Sequence, residues 1–425
     1  MDKQIDEKMG QIIDYCQSHI PFYAKLLKSQ AENQGISTID DFKRLPFTTK
    51  NDLKRNYPYG MAGCSLDQII GYYETAGDKN EQNRSSRSAS FFTNDDLARD
   101  ISRRTSGTLE FANTDVVFIS LPYAYSCAAL GYHMAAQKQG AMVISADNES
   151  KLNNYRKQLD VLMRINPTII ITAYPFIYST ILKLMGDTTK RFTKLRAIQL
   201  CGMPHSSNGM KRISEAFNGV PVYNTYDMVE FGAITACCPE GKKHICDDFY
   251  VEIINPKTME VIKEDGIGGE IVITSLRRQG SPLIRYRTGD IGRIYKNGCQ
   301  CSSDSPYIQV LGRLKNLIEF KEQGKRFTLC NFEDVFYQHE CLTGMYKPKF
   351  VDETLTFVID VESDNKKQVA AEVKRMIRDQ LDIDVEIEAV NVGVSRREFL
   401  SDSAGNTLGA LQSVENKKNE WLITY

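Results

Sequence analysis

Apolar positions recur along the chain in two rhythms. The opening stretch IDEKMGQIIDYCQSHIPFYAKLL (5–27) spaces them at helical intervals, and Pro21 predicts a break or kink. Thr48 or Thr49 predicts an N-cap for a short helix through 51–56, stopped by Pro58. From about Asp115 short β-rich runs alternate with amphipathic stretches; the runs are 116–120, 141–145, 168–172, 197–201 and 220–224. Five such runs predict a parallel α/β sheet with helices packed on it, and ligands off the carboxyl ends of its strands. After about Asp248 the rhythm changes. The runs 249–256 and 268–276 predict antiparallel pairing, while 354–363, 365–381 and 385–392 read as strand, helix and strand. The predicted organisation is a large N-terminal domain over 1–312, with a β-subdomain at 248–310, and a small α+β C-terminal domain over 313–425.

Composition narrows the field. Among 425 residues, 42% are hydrophobic and 25% charged, which excludes a disordered or collagen-like chain. Lys plus Arg is 53 against Asp plus Glu at 54, so no basic footprint points to nucleic acid or to an anionic membrane as main partner. The first residues lack the apolar core of a signal peptide, and no window approaches about 18 apolar residues, so neither export nor a membrane span is expected. The 11 cysteines are then expected as reduced thiols in the cytoplasm. Most stand alone in apolar runs and read as buried thiols. The pairs Cys237/Cys238 and Cys299/Cys301 stand apart.

The chemistry concentrates in Arg285-Tyr-Arg287-Thr-Gly-Asp290. A carboxylate beside a glycine in a tight loop suits two hydrogen bonds from vicinal ribose hydroxyls; the same residues also read as a surface turn with an ion pair. Further stretches are RLPFTTKNDLKRNYPYGM (44–61), Tyr226-Asp-Met-Val-Glu230, Gly202-Met-Pro-His205 and Leu-Gly-Arg313-Leu-Lys315. With these motifs, in this order, the chain resembles the phenylacetate–coenzyme A ligase branch of the adenylate-forming enzymes over nearly its whole length. The resemblance implies that superfamily's α/β fold. It implies Tyr226 near the adenine, Asp290 on the ribose, Glu230 as a Mg²⁺ ligand and Arg313 near ribose or phosphate. Arg285, Thr75 and Gly77 join the nucleotide site, and Lys315 falls at the hinge of the small domain. Such enzymes activate a carboxylic acid with ATP to an acyl adenylate and pass the acyl group to coenzyme A or to a phosphopantetheine thiol. The segment with Tyr123, Tyr125 and His133 implies an acyl pocket for an aromatic or small acid, shared with His205; read without the resemblance, it is a core Tyr/His cluster. An acyl carrier protein and a homodimer are further implied partners.

Four departures cut the other way. The Ser/Thr/Gly-rich phosphate loop of the branch corresponds here to Glu74–Asn80, with one glycine, Gly77, and an added negative charge, Asp78; Lys79, Arg84 or Arg87 would have to compensate. Gly405-Asn406 stands where the branch has Gly-Lys, unless Lys417 or Lys418 takes the role. Asp227 replaces a glycine and adds another negative charge near the nucleotide, and Pro204 replaces a glutamate. The expectation therefore divides. One branch is an AMP-forming ligase. A second is a homologue that lost adenylation and transfers or condenses a pre-formed acyl thioester. A third is a non-catalytic partner in a biosynthetic complex.

Cys238 and His244 are separated by five residues, and Cys299-Gln-Cys301 lies on a predicted hairpin loop where the branch carries a Cys-x-Cys segment. Three thiolates and an imidazole suit a tetrahedral, structural Zn²⁺. Cys237 or Cys246 is an alternate ligand, and four unrelated side chains is the competing reading.

Overall fold

The computed structural model describes the chain except residues 1, 32–37, 76–86, 149, 151–152, 185–191, 302, 322, 352–353 and 397–425. It divides into two compact units: one from 1–110, 123–135 and 225–310, the other from 111–122, 136–224 and 311–425.

In the first unit, helices Asp2–His19 and Pro21–Ala31 flank the predicted break, with Pro21 opening the second helix where its missing N–H is harmless. Their buried face, Met9, Ile12, Ile13, Cys16, Tyr23 and Leu27, belongs to one apolar cluster with Ile253, Ile271, Ile273 and Ile308 of a six-stranded sheet. That sheet runs Thr235–Cys237, Lys243–Ile245, Tyr307–Arg313, Tyr286–Tyr295, Gly269–Ser275, Phe249–Ile254, and its first and last strand pairs are antiparallel. Thr49 is the cap of helix Lys50–Arg55: its Oγ1 accepts the Asp52 N–H while Asp52 reaches back, a capping box. Strands Gly71–Glu74 and Ala89–Phe92 pair antiparallel.

In the second unit the five predicted runs form a five-stranded parallel sheet in the order Met142–Ser145, Val116–Ser120, Ile169–Thr172, Ala197–Leu200, Val222–Asn224. The chain turns outward to both sides of Val116–Ser120, the switch-point pattern of doubly wound sheets. Strands Leu342–Val351, Thr354–Val361 and Glu386–Asn391 make a mixed sheet backed by helices Leu329–Phe336 and Lys366–Leu381. Phe332, Phe336, Phe357 and Val373 of this part share one apolar cluster with Leu159, Ile170, Ile198 and Phe217 of the parallel-sheet layer. Gly344 has φ +101°, and a Cβ there would stand 2.2 Å from the Phe176 ring, so only glycine allows this approach. The described residues that follow 311 thus pack with the parallel sheet.

Among the described residues, no helix is long and apolar enough to cross a membrane.

Candidate functional site

Strand Tyr286–Tyr295 carries Gly289 at φ +72°, and the turn there is fixed by Thr288, whose Oγ1 donates to the Ile271 carbonyl at 2.8 Å and accepts the Asp290 N–H at 3.0 Å. This buries Asp290 and aims its carboxylate at Tyr226, whose hydroxyl donates to Oδ2 at 2.6 Å. Four residues beyond Tyr226, the buried Glu230 accepts from the Tyr286 hydroxyl at 3.1 Å and from Lys50 Nζ at 2.8 Å. Lys50 also reaches Thr75 Oγ1 at 3.1 Å and Ser88 Oγ at 2.6 Å, the residues that directly follow and precede the paired strands Gly71–Glu74 and Ala89–Phe92. Tyr226, Asp290, Glu230 and Thr75 thus lie in one unit, joined through two short polar chains.

Sequence reasoning missed Lys50 and Ser88. Lys50 lies inside the stretch 44–61, directly after the cap residue, yet nothing marks a first-turn lysine as different from a solvated one. Arg87, named as a compensating cation, instead donates to Glu74 at 3.1 Å. Burial works against the charged form of Glu74. The Tyr72 and Tyr57 hydroxyls and Arg87 outweigh it and hold this carboxyl below its ordinary range. Gly77, Asp78, Lys79 and Arg84, and likewise Gly405, Asn406, Lys417 and Lys418, lie outside the described residues.

Two expectations are corrected by geometry. Arg285 does not present its guanidinium to a ligand. It is buried in a two-point pair with Glu252 (3.1 Å at both contacts), donates to the Leu45 carbonyl at 2.5 Å and to the Lys43 carbonyl, and lies over the Phe47 ring at 4.2 Å. It ties the N-terminal segment to the sheet. Asp227 does not add an unbalanced charge: its carboxylate accepts from the fully buried Arg104 at 2.5 Å. Arg313 ends the strand Tyr307–Arg313 and Lys315 sits in the single turn Leu314–Asn316; both are exposed.

Of the acyl-pocket candidates, Tyr123 and His133 touch, with the Tyr hydroxyl 3.2 Å from Nδ1 and the rings edge-on. Tyr125 is 61% exposed at φ +56°, so its ring faces solvent rather than an enclosed wall; its carbonyl accepts the Glu74 N–H at 3.1 Å. His205 lines a cavity in the second unit with Phe176, Tyr337, Tyr346, Glu333 and Arg396.

Cys238, His244, Cys299 and Cys301 converge, with donor atoms all within 4.8 Å of one another. The sulfur–sulfur distances are 3.6 Å (Cys238–Cys299) and 3.3 Å (Cys299–Cys301), and His244 Nε2 lies 3.4 and 3.2 Å from Cys299 and Cys301. A tetrahedral zinc with bonds of about 2.3 Å to sulfur and 2.0 Å to nitrogen needs donors roughly 3.5–3.8 Å apart, close to this spacing. His244 Nδ1 faces the Ser305 carbonyl at 2.6 Å; a carbonyl only accepts, so the proton sits on Nδ1 and the Nε2 lone pair faces the sulfurs. Hydrogen bonds led by the Cys301 N–H bring the Cys299 thiol down to about 6, while burial pushes Cys238 up to about 11. Cys237 and Cys246 are outside this cluster; burial raises the Cys246 thiol to about 12.

The model of the AMP-binding enzyme family matches residues 93–276. Phenylacetate–coenzyme A ligases from Pseudomonas putida and Aromatoleum evansii are 25% and 26% identical over 302 and 303 residues, 68% of this chain and 65% of each relative. The match thus spans just under two thirds of the length of those relatives. In fold, the chain is similar to 2-hydroxyisobutyryl-CoA ligase in complex with 2-HIB-AMP, with a TM-score of 0.79, 18% identity, and 92% of this chain and 86% of that one covered. The chain is thus similar in sequence to phenylacetate–coenzyme A ligases and in fold to 2-hydroxyisobutyryl-CoA ligase.

Proposed function

We propose that the chain is an AMP-forming acid–thiol ligase. A carboxylate oxygen of a small or aromatic acid attacks the α-phosphorus of ATP and pyrophosphate leaves. A thiol of coenzyme A, or of the phosphopantetheine of an acyl carrier protein, then attacks the acyl carbonyl and AMP leaves. The observation that carries this reading is the 2.6 Å contact between Tyr226 and Asp290, with Glu230 on the same short segment meeting Lys50 beside Thr75 and Ser88. Asp290 accepts the ribose hydroxyls, Tyr226 flanks the adenine, and Lys50 and Thr75 meet the phosphates. Mg²⁺, when bound beside Glu230, neutralises phosphate charge. Residues 313–425 turn about Lys315 between the two half-reactions, which requires the apolar contacts they share with the parallel-sheet layer to open. Tyr123 and His133 contribute to the acyl pocket.

The Cys238–His244–Cys299–Cys301 cluster holds a structural zinc. Four protein donors leave no open position, and Cys238 and His244 would share a bound ion with Cys299 and Cys301, which would tie these two parts of the chain together. Metal analysis should find one zinc per chain, lost in C299S. The chain works in the cytoplasm, as a homodimer.

Calorimetry with ATP and Mg²⁺ tests the reading. Micromolar binding abolished by D290A, followed by acid-dependent AMP release across an acid panel, supports it. The altered loop at Gly77-Asp78 and Asn406 favours a second reading, transfer from a pre-formed acyl thioester. No binding at millimolar ATP, with thioester turnover in its absence, would establish that one instead.

A further inference from the structure

Asp227, the residue that departs from the branch pattern, is met by a buried arginine. Arg104, on helix Asn94–Thr105, has no exposed side-chain surface. Its Nη1 donates to Asp227 Oδ2 at 2.5 Å and its Nε to Asp100 Oδ2 at 2.8 Å. The guanidinium lies over the Tyr132 ring at 4.6 Å, and the Tyr132 hydroxyl is 2.9 Å from Thr225 Oγ1. The other oxygen of Asp100 accepts the Ala233 N–H at 2.8 Å. Two glycines make the room. A Cβ on Gly131 would stand 2.3 Å from Arg104 Nε, and one on Gly232, at φ +75°, would stand 2.3 Å from Asp100 Oδ1. The segment between these attachments is the short one that carries Tyr226 at one end and Glu230 near the other.

We propose that Arg104, bridging Asp227 and Asp100, is a buried ionic clamp that positions segment 226–233, and through it the Tyr226 and Glu230 side chains at the nucleotide site. The role is one of positioning, and it rests on the nucleotide reading above. Only a guanidinium suits it. The planar fork engages two carboxylates at once, and its charge survives complete burial, whereas an ammonium offers one point of attachment. The groups facing the clamp are Asp100, Asp227 and Arg103, the last 3.6 Å from Asp100 and 2.5 Å from Asp248. Burial opposes the charged form of Asp100, yet Arg104 and Arg103 outweigh it and hold its carboxyl below the ordinary range. The negative charge that Asp227 introduces is therefore turned inward and used to hold the segment.

The variants separate positioning from folding. D227N and D227G leave the neutral Arg104–Asp100 pair in the interior, so both are expected to fold, whereas R104M leaves two carboxylates facing each other and is expected to unfold in part. Two readouts are needed on D227N, D227G and R104K. Hydrogen exchange of the amides in 226–233 should quicken by about tenfold while distant amides are unmoved. AMP affinity should fall by about tenfold in D227N and D227G with the thermal midpoint nearly kept, and by less in R104K. Unchanged exchange in 226–233 overturns the clamp. Faster exchange with unchanged AMP affinity overturns its positioning role. If the wild-type chain binds no AMP, the nucleotide reading fails, and the exchange readout alone then decides whether the clamp holds the segment.

Discussion

In the unit formed by 1–110, 123–135 and 225–310, charge is carried into the interior. Arg104, Arg278 and Arg285 are each less than a tenth exposed. Arg104 bridges two aspartates, Arg285 pairs with Glu252, and Arg278 donates to Ser90 Oγ and the Phe91 carbonyl while lying 4.1 Å over the Phe92 ring. In the unit formed by 111–122, 136–224 and 311–425, the same depth is filled by Phe118, Ile170, Ile198, Phe217, Phe332 and Phe357. The two interiors do different work. Apolar fill stabilises by about 25 cal/mol per Å² removed from water and tolerates rearrangement. A buried ion pair adds little net stability, because desolvation offsets the attraction, but it fixes geometry and is costly to break. The charged interior belongs to the unit that holds Tyr226, Glu230, Asp290 and the Cys/His cluster, where side-chain placement matters most.

The largest expected effect breaks that contrast open. R285M should destabilise by about 4 kcal/mol, because it strands a buried carboxylate. F332A in the other unit should lose a similar amount, about 3–5 kcal/mol, through a cavity. Their pH dependence should differ. Burial pushes the Glu252 carboxyl up, against the pull of Arg285. Without Arg285 the folded state takes up a proton more readily than the unfolded state, so the R285M deficit should shrink as pH falls from 7 toward 5. The F332A deficit should stay flat. Denaturant unfolding at both pH values reads this, and the double variant R285M/E252L should recover most of the loss. Equal pH profiles for R285M and F332A would remove the distinction between the two interiors.

The contrast also explains what could be read from the sequence. The parallel strands were legible because each is a short apolar run bounded by helical segments: IIIT at 169–172 is buried throughout and leaves little other choice. The zinc-suited cluster was legible because ligand types and spacing carry the signal even when the chain between them is long. The interior charges were not. A charged residue reads as solvated unless its partner is known, and Arg104 and Asp227 lie 123 residues apart with no shared pattern. Asp227 was therefore read as an unbalanced charge. Arg285 was assigned to the nucleotide because its motif surrounds a ribose-type carboxylate, while its partner Glu252 sits inside a strand run, FYVEII, that looks merely alternating. Lys50 escaped for the same reason: its three partners are brought in from 75, 88 and 230.

The second unit also buries charge, at Asp115, Glu333, Asp360 and Arg396, and the first of these sharpens the comparison. Asp115, buried before strand Val116–Ser120, accepts from Arg196 at 2.7 and 2.9 Å, from Thr168 Oγ1 at 2.7 Å and from the Ala112 N–H at 2.8 Å. Burial alone would raise its carboxyl, but Arg196, Thr168 and the Ala112 amide hold it at about 2, below the ordinary 3.8. The folded state thus resists protonation more than the unfolded state. This contribution is fully present above about pH 4 and is lost as pH falls toward 2. D115N should be less stable than the parent at pH 7, and the two acid-unfolding curves should converge below pH 3. Curves that stay parallel would show that Asp115 adds no charge-dependent stability.

The smallest expected effect compares one motif placed in both units. Thr49 caps helix Lys50–Arg55 and Ser206 caps helix Ser207–Ala216, Ser206 Oγ accepting the Gly209 N–H at 2.9 Å. Removal of either hydroxyl should destabilise by about 1 kcal/mol. The consequences should diverge beyond stability. Lys50 is the first residue of the helix that Thr49 caps, and its ammonium contacts Glu230, Thr75 and Ser88, so T49A loosens those three contacts. Ser206 has a second anchor that survives S206A, because its backbone N–H donates to the buried Glu333 at 3.2 Å. T49A should therefore weaken nucleotide affinity several-fold, about what the displacement of one charge-assisted contact accounts for, whereas S206A should leave it unchanged at matched stability. If both variants lose stability and neither moves affinity, Lys50 is held in place by its ionic partners alone and the cap serves only the helix.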